Sequence, residues 1–135
     1  MAAAADVQRP LTRRGHGRSV AFTTAMSQTG ELVARRSADT EVFYMAGSQL
    51  PDLAQRLMAA GWPPATPASA VSRAGWPDCR DSRHRLDDLA DAVPLHAGRP
   101  TVLTVGAGAT PVTQAPAGIA TATAGPAAPD GLAPA

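Results

Sequence analysis

The chain has three histidines, His16, His84 and His96, and their scatter speaks against a shared metal site. None has another histidine or a cysteine three or four residues away, the spacing that puts two donors on one helix face, so solvent-facing imidazoles are expected. Asp87, Asp88 and Asp91 cluster on what reads as the exposed face of a helix, where a solvated surface is expected rather than a carboxylate pair for acid–base work. Gly106-Ala-Gly108-Ala follows a strand as a phosphate loop would. Pro111 arrives before a helix can start and no third glycine is placed correctly, so the dinucleotide fingerprint is not met. Cys79 is the single cysteine, which leaves no internal disulfide and no thiolate metal cage. Arg9, Arg13, Arg14 and Arg18 crowd the start of the chain, where they form either a grip for an anion or a flexible basic arm without a partner.

All 12 residues counted as Lys or Arg are Arg; 11 acidic residues balance them to a net charge of +1. That balance, with no aromatic residue beside the arginine arm, argues against a nucleic-acid binder. The all-Arg, Ala- and Pro-rich composition is read mainly as nucleotide bias in the coding sequence. Met1 to Val7 is too short for a secretory leader and lacks its basic start. No apolar run approaches the roughly 20 residues of a membrane span. A cytoplasmic protein that partners neither membrane nor nucleic acid is therefore expected.

These residues must be positioned by a small α/β domain. Residues 1–18 read as an irregular lead-in. Ser19 to Thr24 has the β-branched and aromatic content of a strand, and Thr40 to Tyr44 reads as a second. A short helix is expected at Glu31 to Arg36 between them. Leu50, Leu53, Leu57 and Met58 recur at helical spacing from about Pro51 to Ala60. Gly61 ends that helix and Pro63-Pro64 prevents its continuation. Thr66 to Val71 is a weaker strand, Ser72 to Asp78 a loop, and Arg80 to Arg85 a strand by position despite the poor strand formers Asp81 and Ser82. Leu86, Leu89, Ala90 and Val93 mark another short helix. Thr101 to Val105 is the clearest buried strand. From Gly106 almost every residue is Ala, Pro, Gly or Thr, too little apolar bulk to offset the entropy of ordering, so the domain is set at 19–106 and a disordered tail at 107–135. The strand order does not follow from these observations.

Several segments, in order, resemble the second half of uroporphyrinogen-III C-methyltransferases and the methylase part of siroheme synthases, members of the tetrapyrrole methylases. Arg9-Pro-Leu-Thr-Arg-Arg-Gly15 resembles the family's inter-domain stretch, usually Ile-Pro-Leu-Thr-His-Arg. Thr40 to Met45 (TEVFYM) resembles Thr-Leu-Val-Phe-Tyr-Met, and Leu50 to Trp62 resembles the helix that follows. Val71 to Asp78 (VSRAGWPD), Leu86-Asp-Asp-Leu89-Ala90 and Thr101 to Gly106 resemble the later loop, helix and last strand. The match runs from residue 8 to about 106.

The resemblance implies an S-adenosylmethionine-dependent C-methylation of uroporphyrinogen III to precorrin-2, in siroheme or cobalamin biosynthesis, by a protein that forms a homodimer at full length. It implies that this chain holds the C-terminal half, without the N-terminal domain that supplies most of the cofactor pocket; the alternative is a non-catalytic fragment or dimerisation domain. Met45 matches the Met that packs on the cofactor, and Ala74 a loop residue, often Gly, whose backbone contacts it. Outside the resemblance, Met45 reads as a core residue ending a strand. Arg13 and Arg14 are the implied contacts to the carboxylate-rich tetrapyrrole, with Arg13 standing where His is usual. Cys79 stands where Gln is usual, and Asp81 and Ser82 replace apolar strand residues.

Overall fold

A computed structural model describes residues 10–110, Arg13 and Ser27 apart. Five strands form one sheet: β1 (Val20–Thr24), β2 (Thr40–Tyr44), β3 (Pro67–Ser72), β4 (Arg80–Arg85) and β5 (Thr101–Gly106), in the order β1-β2-β5-β3-β4. β1 runs parallel to β2, while β5 pairs antiparallel with both β2 and β3. β2 and β3 therefore point the same way with a gap of one strand between them, and the last strand in the chain fills it. Helix α1 (Leu50–Ala59) makes the crossover from β2 to β3. A 3-10 stretch at Leu86–Ala92 runs into the one-turn helix α2 (Val93–His96).

The helical period of the leucines explains α1. Leu50, Leu53, Ala54 and Leu57 are its buried residues, and Pro51 sits in the first turn, where its missing N–H is no loss. The expected stop at Gly61 is observed. Gly61 is left-handed at φ +114°, and the Trp62 N–H reaches back to the Leu57 carbonyl at 3.1 Å. α1 and the 86–92 stretch cover one face of the sheet around Phe43, Leu57, Leu86, Leu89, Leu103 and Val105. Fully burying a side chain of this size contributes about 1.5–3 kcal/mol.

β4 is a strand despite Asp81 and Ser82 because it lies at the sheet edge, in full register with β3 from Pro67–Arg85 to Ser72–Arg80. Five of its six residues carry a charge or an imidazole (RDSRHR), a composition that discourages pairing with another chain.

Four expectations are corrected. Glu31 to Arg36 contains no helix. Its backbone is spoken for elsewhere: Val33 N–H donates to the Ala25 carbonyl, the Arg35 carbonyl accepts from Trp62 Nε1, and the Arg36 guanidinium lies 4.8 Å over the Trp62 ring. Within 86–93 the buried positions are Leu86, Leu89 and Ala92 while Ala90 is exposed, because a 3-10 stretch repeats every three residues. His96 is fully enclosed rather than solvent-facing.

The fourth correction concerns the tail. Ala107–Ala109 form a 3-10 turn with Gly108 and Ala109 buried, while 111–135 lie outside the described residues. The turn is held by Thr40, whose hydroxyl donates to the Leu11 carbonyl at 3.2 Å and accepts from the Gly108 N–H at 2.8 Å. The described residues 10–18 of the lead-in lie outside the named strands and helices, yet Leu11 packs at only 6% exposure. Both ends of the described chain thus cover the start of β2 on the face the helices leave open. Asp87, Asp88 and Asp91 are exposed, as expected.

Gly106 makes this closure feasible. Its φ of +101° is open to glycine, and a Cβ there would lie 2.3 Å from the Asp39 carbonyl and 3.0 Å from the Trp62 ring. Gly106→Ala is expected to cost about 2–5 kcal/mol in urea unfolding, combining backbone strain with overpacking. Gly30, also left-handed at φ +81° but facing open space, is expected to cost only about 1–2 kcal/mol on the same change.

Candidate functional site

β2 and β3 end side by side, with the start of β5 between them. The Ala46 N–H donates to the Thr101 carbonyl and the Arg73 N–H to the Pro100 carbonyl, both at 3.1 Å. In open α/β sheets such a crevice outside the carboxyl ends of the strands is the usual ligand site. Here it is a cavity of about 440 Å³, within the range of small-molecule sites. Tyr44, Val71 and Val102 line it from the sheet, and Met45, Ala74 and Trp76 from the loops.

Met45 and Ala74, both implied by the resemblance, line one open cavity. Met45 is 71% exposed, which excludes the strand-core reading of that residue. Trp76 is 60% exposed, and Phe22 stacks on Tyr44 at 6.2 Å nearby. Large exposed apolar groups gathered at one end of a sheet mark a surface that meets a ligand or a partner.

The backbone is strained at the same place. Met45 (φ +58°) and Arg73 (φ +53°) are the non-glycine residues with left-handed backbone among those described. Each immediately follows a strand, and both line the cavity. Such strain persists where surrounding structure imposes it, commonly at functional sites. For Arg73 the imposing contacts are visible. Its Nε donates to the Asp78 carboxylate at 2.8 Å and its guanidinium lies 4.8 Å over the Trp76 ring. The Asp78 carboxyl is held below the ordinary aspartate range, first by that hydrogen bond from Arg73.

Arg14 lies elsewhere. With Thr12, Gly15, Gly17 and Arg18 it borders a shallow depression at the Thr40 end of β2, where Gly17 abuts Ala107 and Asp39. The length of β2, roughly 13 Å at the usual rise per residue, separates that end from Tyr44. Arg13 lies outside the described residues. Among the described residues no group of three or more His, Cys, Asp or Glu is placed to hold a metal ion, and no helix is long and apolar enough to cross a membrane.

Tyr44, Arg73, Trp76 and Val102 also line the cavity, and no motif or spacing in the sequence marks them as a group. A tryptophan inside a Gly- and Pro-containing loop was the available signal, since a large aromatic ring without a core position needs another use. Val102 carried none, because its place beside Val71 depends on the strand order.

The fold and site define a class: a mixed α/β domain with an apolar, strained cavity at the carboxyl ends of two like-directed strands. The chain belongs to the tetrapyrrole (corrin/porphyrin) methylases, whose family model matches residues 1–90. It is 41% identical over 112 residues to the S-adenosyl-L-methionine-dependent uroporphyrinogen III methyltransferase, chloroplastic, of Arabidopsis thaliana, covering 76% of this chain and 30% of the relative. It is 35% identical over 96 residues to precorrin-4 C(11)-methyltransferase of Mycobacterium tuberculosis, covering 66% and 38%. Among solved structures, a uroporphyrin-III C-methyltransferase from Thermus thermophilus superposes with a TM-score of 0.68 at 32% identity, covering 79% of this chain and 46% of that one. A Thermus thermophilus structure complexed with S-adenyl homocysteine shares the fold, with a TM-score of 0.66 at 24% identity and coverage of 76% and 48%. The chain thus spans about a third of the length of these curated relatives and under half of the solved structures.

If Met45 is strained to serve a ligand rather than to stabilise the fold, glycine there should relieve the strain. Met45→Gly is expected to leave thermal stability unchanged or raise it by up to about 1 kcal/mol, because little packing is lost from an exposed side chain. A loss above about 1 kcal/mol in a melting experiment would return Met45 to a structural role.

Proposed function

We propose that this chain forms one wall of the cofactor cleft of an S-adenosylmethionine-dependent uroporphyrinogen-III C-methyltransferase, acting on the route to precorrin-2. The observation that carries the reading is the convergence of Met45 and Ala74 on one open, apolar cavity at the ends of β2 and β3.

The lining suits an S-adenosyl group. A flat purine seeks aromatic and thioether surface, which Tyr44, Met45 and Trp76 offer. Met45 adds no charge that would compete with a sulfonium. Arg73, the cation in the lining, is paired with Asp78. The small side chain of Ala74 lets backbone approach a ligand closely. When bound, the cofactor supplies an activated methyl group. The residues of this chain position the donor, since an in-line displacement depends chiefly on alignment and exclusion of water.

Arg14 is proposed to bind substrate carboxylate, with Arg13 beside it in sequence; guanidinium suits that pairing. The proposed contact is with the periphery of a tetrapyrrole, away from the reacting carbon, in keeping with the strand length between Arg14 and Met45. The homodimer implied by the resemblance belongs to the same proposal. An open half-cleft supplies few contacts and little water exclusion, so the chain by itself should bind weakly.

Calorimetric titration with S-adenosylhomocysteine, alone and with the N-terminal half of a relative supplied, tests this. Binding is expected in the mixture and is expected to weaken about 2–10-fold in Met45→Ala, the range of a lost thioether–aromatic contact. No heat in either titration of a folded sample would favour the non-catalytic fragment. Unchanged affinity in Met45→Ala would remove Met45 from the site.

A further inference from the structure

Beneath the cavity loop, on the helix-covered side of the sheet, lies a line of polar side chains that the proposed chemistry does not use. The enclosed His96 ring bridges two strands. Its Nδ1 is 2.8 Å from Ser72 Oγ at the end of β3, and its Nε2 is 2.8 Å from Ser82 Oγ on β4. Ser82 Oγ is also 2.8 Å from His84 Nε2. Arg99 Nε donates to Ser72 Oγ at 2.8 Å.

Two arrangements of a neutral His96 ring satisfy these contacts, and one of them also gives the enclosed Ser72 hydrogen an acceptor. In that arrangement Ser72 Oγ accepts from Arg99, which can only donate, and sends its own hydrogen to His96 Nδ1. His96 Nε2 then carries a hydrogen for Ser82, and Ser82 donates to His84 Nε2. The remaining His84 hydrogen, on Nδ1, faces Asp88 at 3.9 Å. With the His96 ring neutral each of these short contacts has one donor and one acceptor.

The line reaches the cavity. The Arg99 guanidinium also bonds the Asp78 backbone carbonyl and approaches the Asp78 carboxylate at 3.5 Å, and that carboxylate holds Arg73. Ser72 directly precedes Arg73. The segment carrying Arg73, Ala74 and Trp76 is therefore fastened underneath through Ser72 and Arg99.

We propose that His96 is a positioning residue whose neutral ring keeps the 73–79 loop in its cavity-forming arrangement, so that protonation of His96 loosens the loop. A protonated ring would present two donors. Ser72 would then have to accept from both Arg99 and His96, and its own hydrogen would lose its acceptor. A positive charge would also be enclosed near other cations. The groups around the ring are His84, Arg80 and Asp81 from β4 and Arg99 beyond α2, with Asp88 behind His84. Burial is the largest cause holding the His96 pKa below the usual histidine value of 6.5; the charges of His84, Arg99 and Arg80 act in the same direction, against Asp81. The unfolded chain therefore takes up this proton at higher pH than the fold does. The stabilising effect is full above about pH 6.5 and is lost as pH falls through the folded value. Asp78 does not compete in this window, because Arg73 keeps its carboxyl below the ordinary aspartate range.

Nuclear magnetic resonance of the ligand-free chain between pH 7.5 and 4.5 tests the coupling. The His96 ring and the Trp76 indole are expected to change with one shared midpoint below pH 6.5. In His96→Gln, whose amide both accepts and donates without titrating, the Trp76 transition is expected to vanish. In Ser72→Ala the ring is expected to titrate while the loop no longer follows. If His96→Gln does not fold, Ser82→Ala serves: ring and loop midpoints are expected to move together. A Trp76 transition that persists in His96→Gln, a wild-type loop that ignores the ring, or midpoints that separate in Ser82→Ala would each overturn the proposal. The ligand arm rests on the cofactor reading above. S-adenosylhomocysteine affinity should fall with acidity by up to about tenfold per pH unit, the limit for one linked proton, and not in His96→Gln. A ligand-free transition without any binding would sink the cofactor reading alone.

Discussion

The antiparallel ladders on both sides of β5 are the constraint from which the other features follow. β2 and β3 point the same way and are joined by α1, so by themselves they leave a one-strand gap with two rows of unpaired backbone groups. Thr101–Gly106 closes it, with bonds to Thr40–Phe43 on one side and to Ala68–Ser72 on the other. Its start lies between the ends of β2 and β3, so the loops after those strands flank Pro100, Thr101 and Val102 and enclose the cavity. Its end places Gly106 against Asp39 and Trp62, which turns residues 107–110 back over Thr40. One strand, inserted last, thus sets both the cavity at one end of the sheet and the packing of the chain ends at the other.

Much of this scaffold was legible because it rests on local periodicity. The leucine spacing of α1 and its glycine stop are properties of one turn or two, and the run Thr101 to Val105 is apolar enough to require a buried strand. β4 was placed by its position between a loop and a helix, against its own composition, because an edge strand tolerates charge on its outer side. What was not legible depends on partners distant in sequence. The 31–36 segment contains helix formers, but Trp62 and Gly61 claim its carbonyl and guanidinium. Gly108 and Ala109 are too small to announce burial. They are buried because Thr40, nearly seventy residues earlier, supplies a bond to the Gly108 N–H.

The site was legible to a lesser degree, for a related reason. Met45 and Ala74 were singled out by resemblance, since an exposed methionine and a loop alanine have no periodicity to betray them. Their common feature, the exit from two like-directed strands, exists once the strand order is known. The left-handed backbone of Met45 and Arg73 is likewise invisible in residue type, since neither favours that region as glycine does. Arg14 shows the converse. Its type suits carboxylates, yet type says nothing of the strand length separating it from Met45.

The two faces of the sheet carry different burdens, and the 73–79 segment belongs to both. Its Arg73, Ala74 and Trp76 line the open face, where strain and exposed apolar surface lower stability in exchange for a place to bind. Its root, Ser72, is enclosed on the other face with His96 and Arg99. A conventional apolar core would hold Ser72's position without responding to pH. A hydrogen-bonded histidine holds it best when neutral, because the Ser72 hydrogen then has an acceptor. In the proposed coupling, Ser82 on β4 makes the support of the cavity loop more specific in geometry and more sensitive to acid. A serine on the edge strand thus bears on the cavity across the sheet rather than on the edge where it lies.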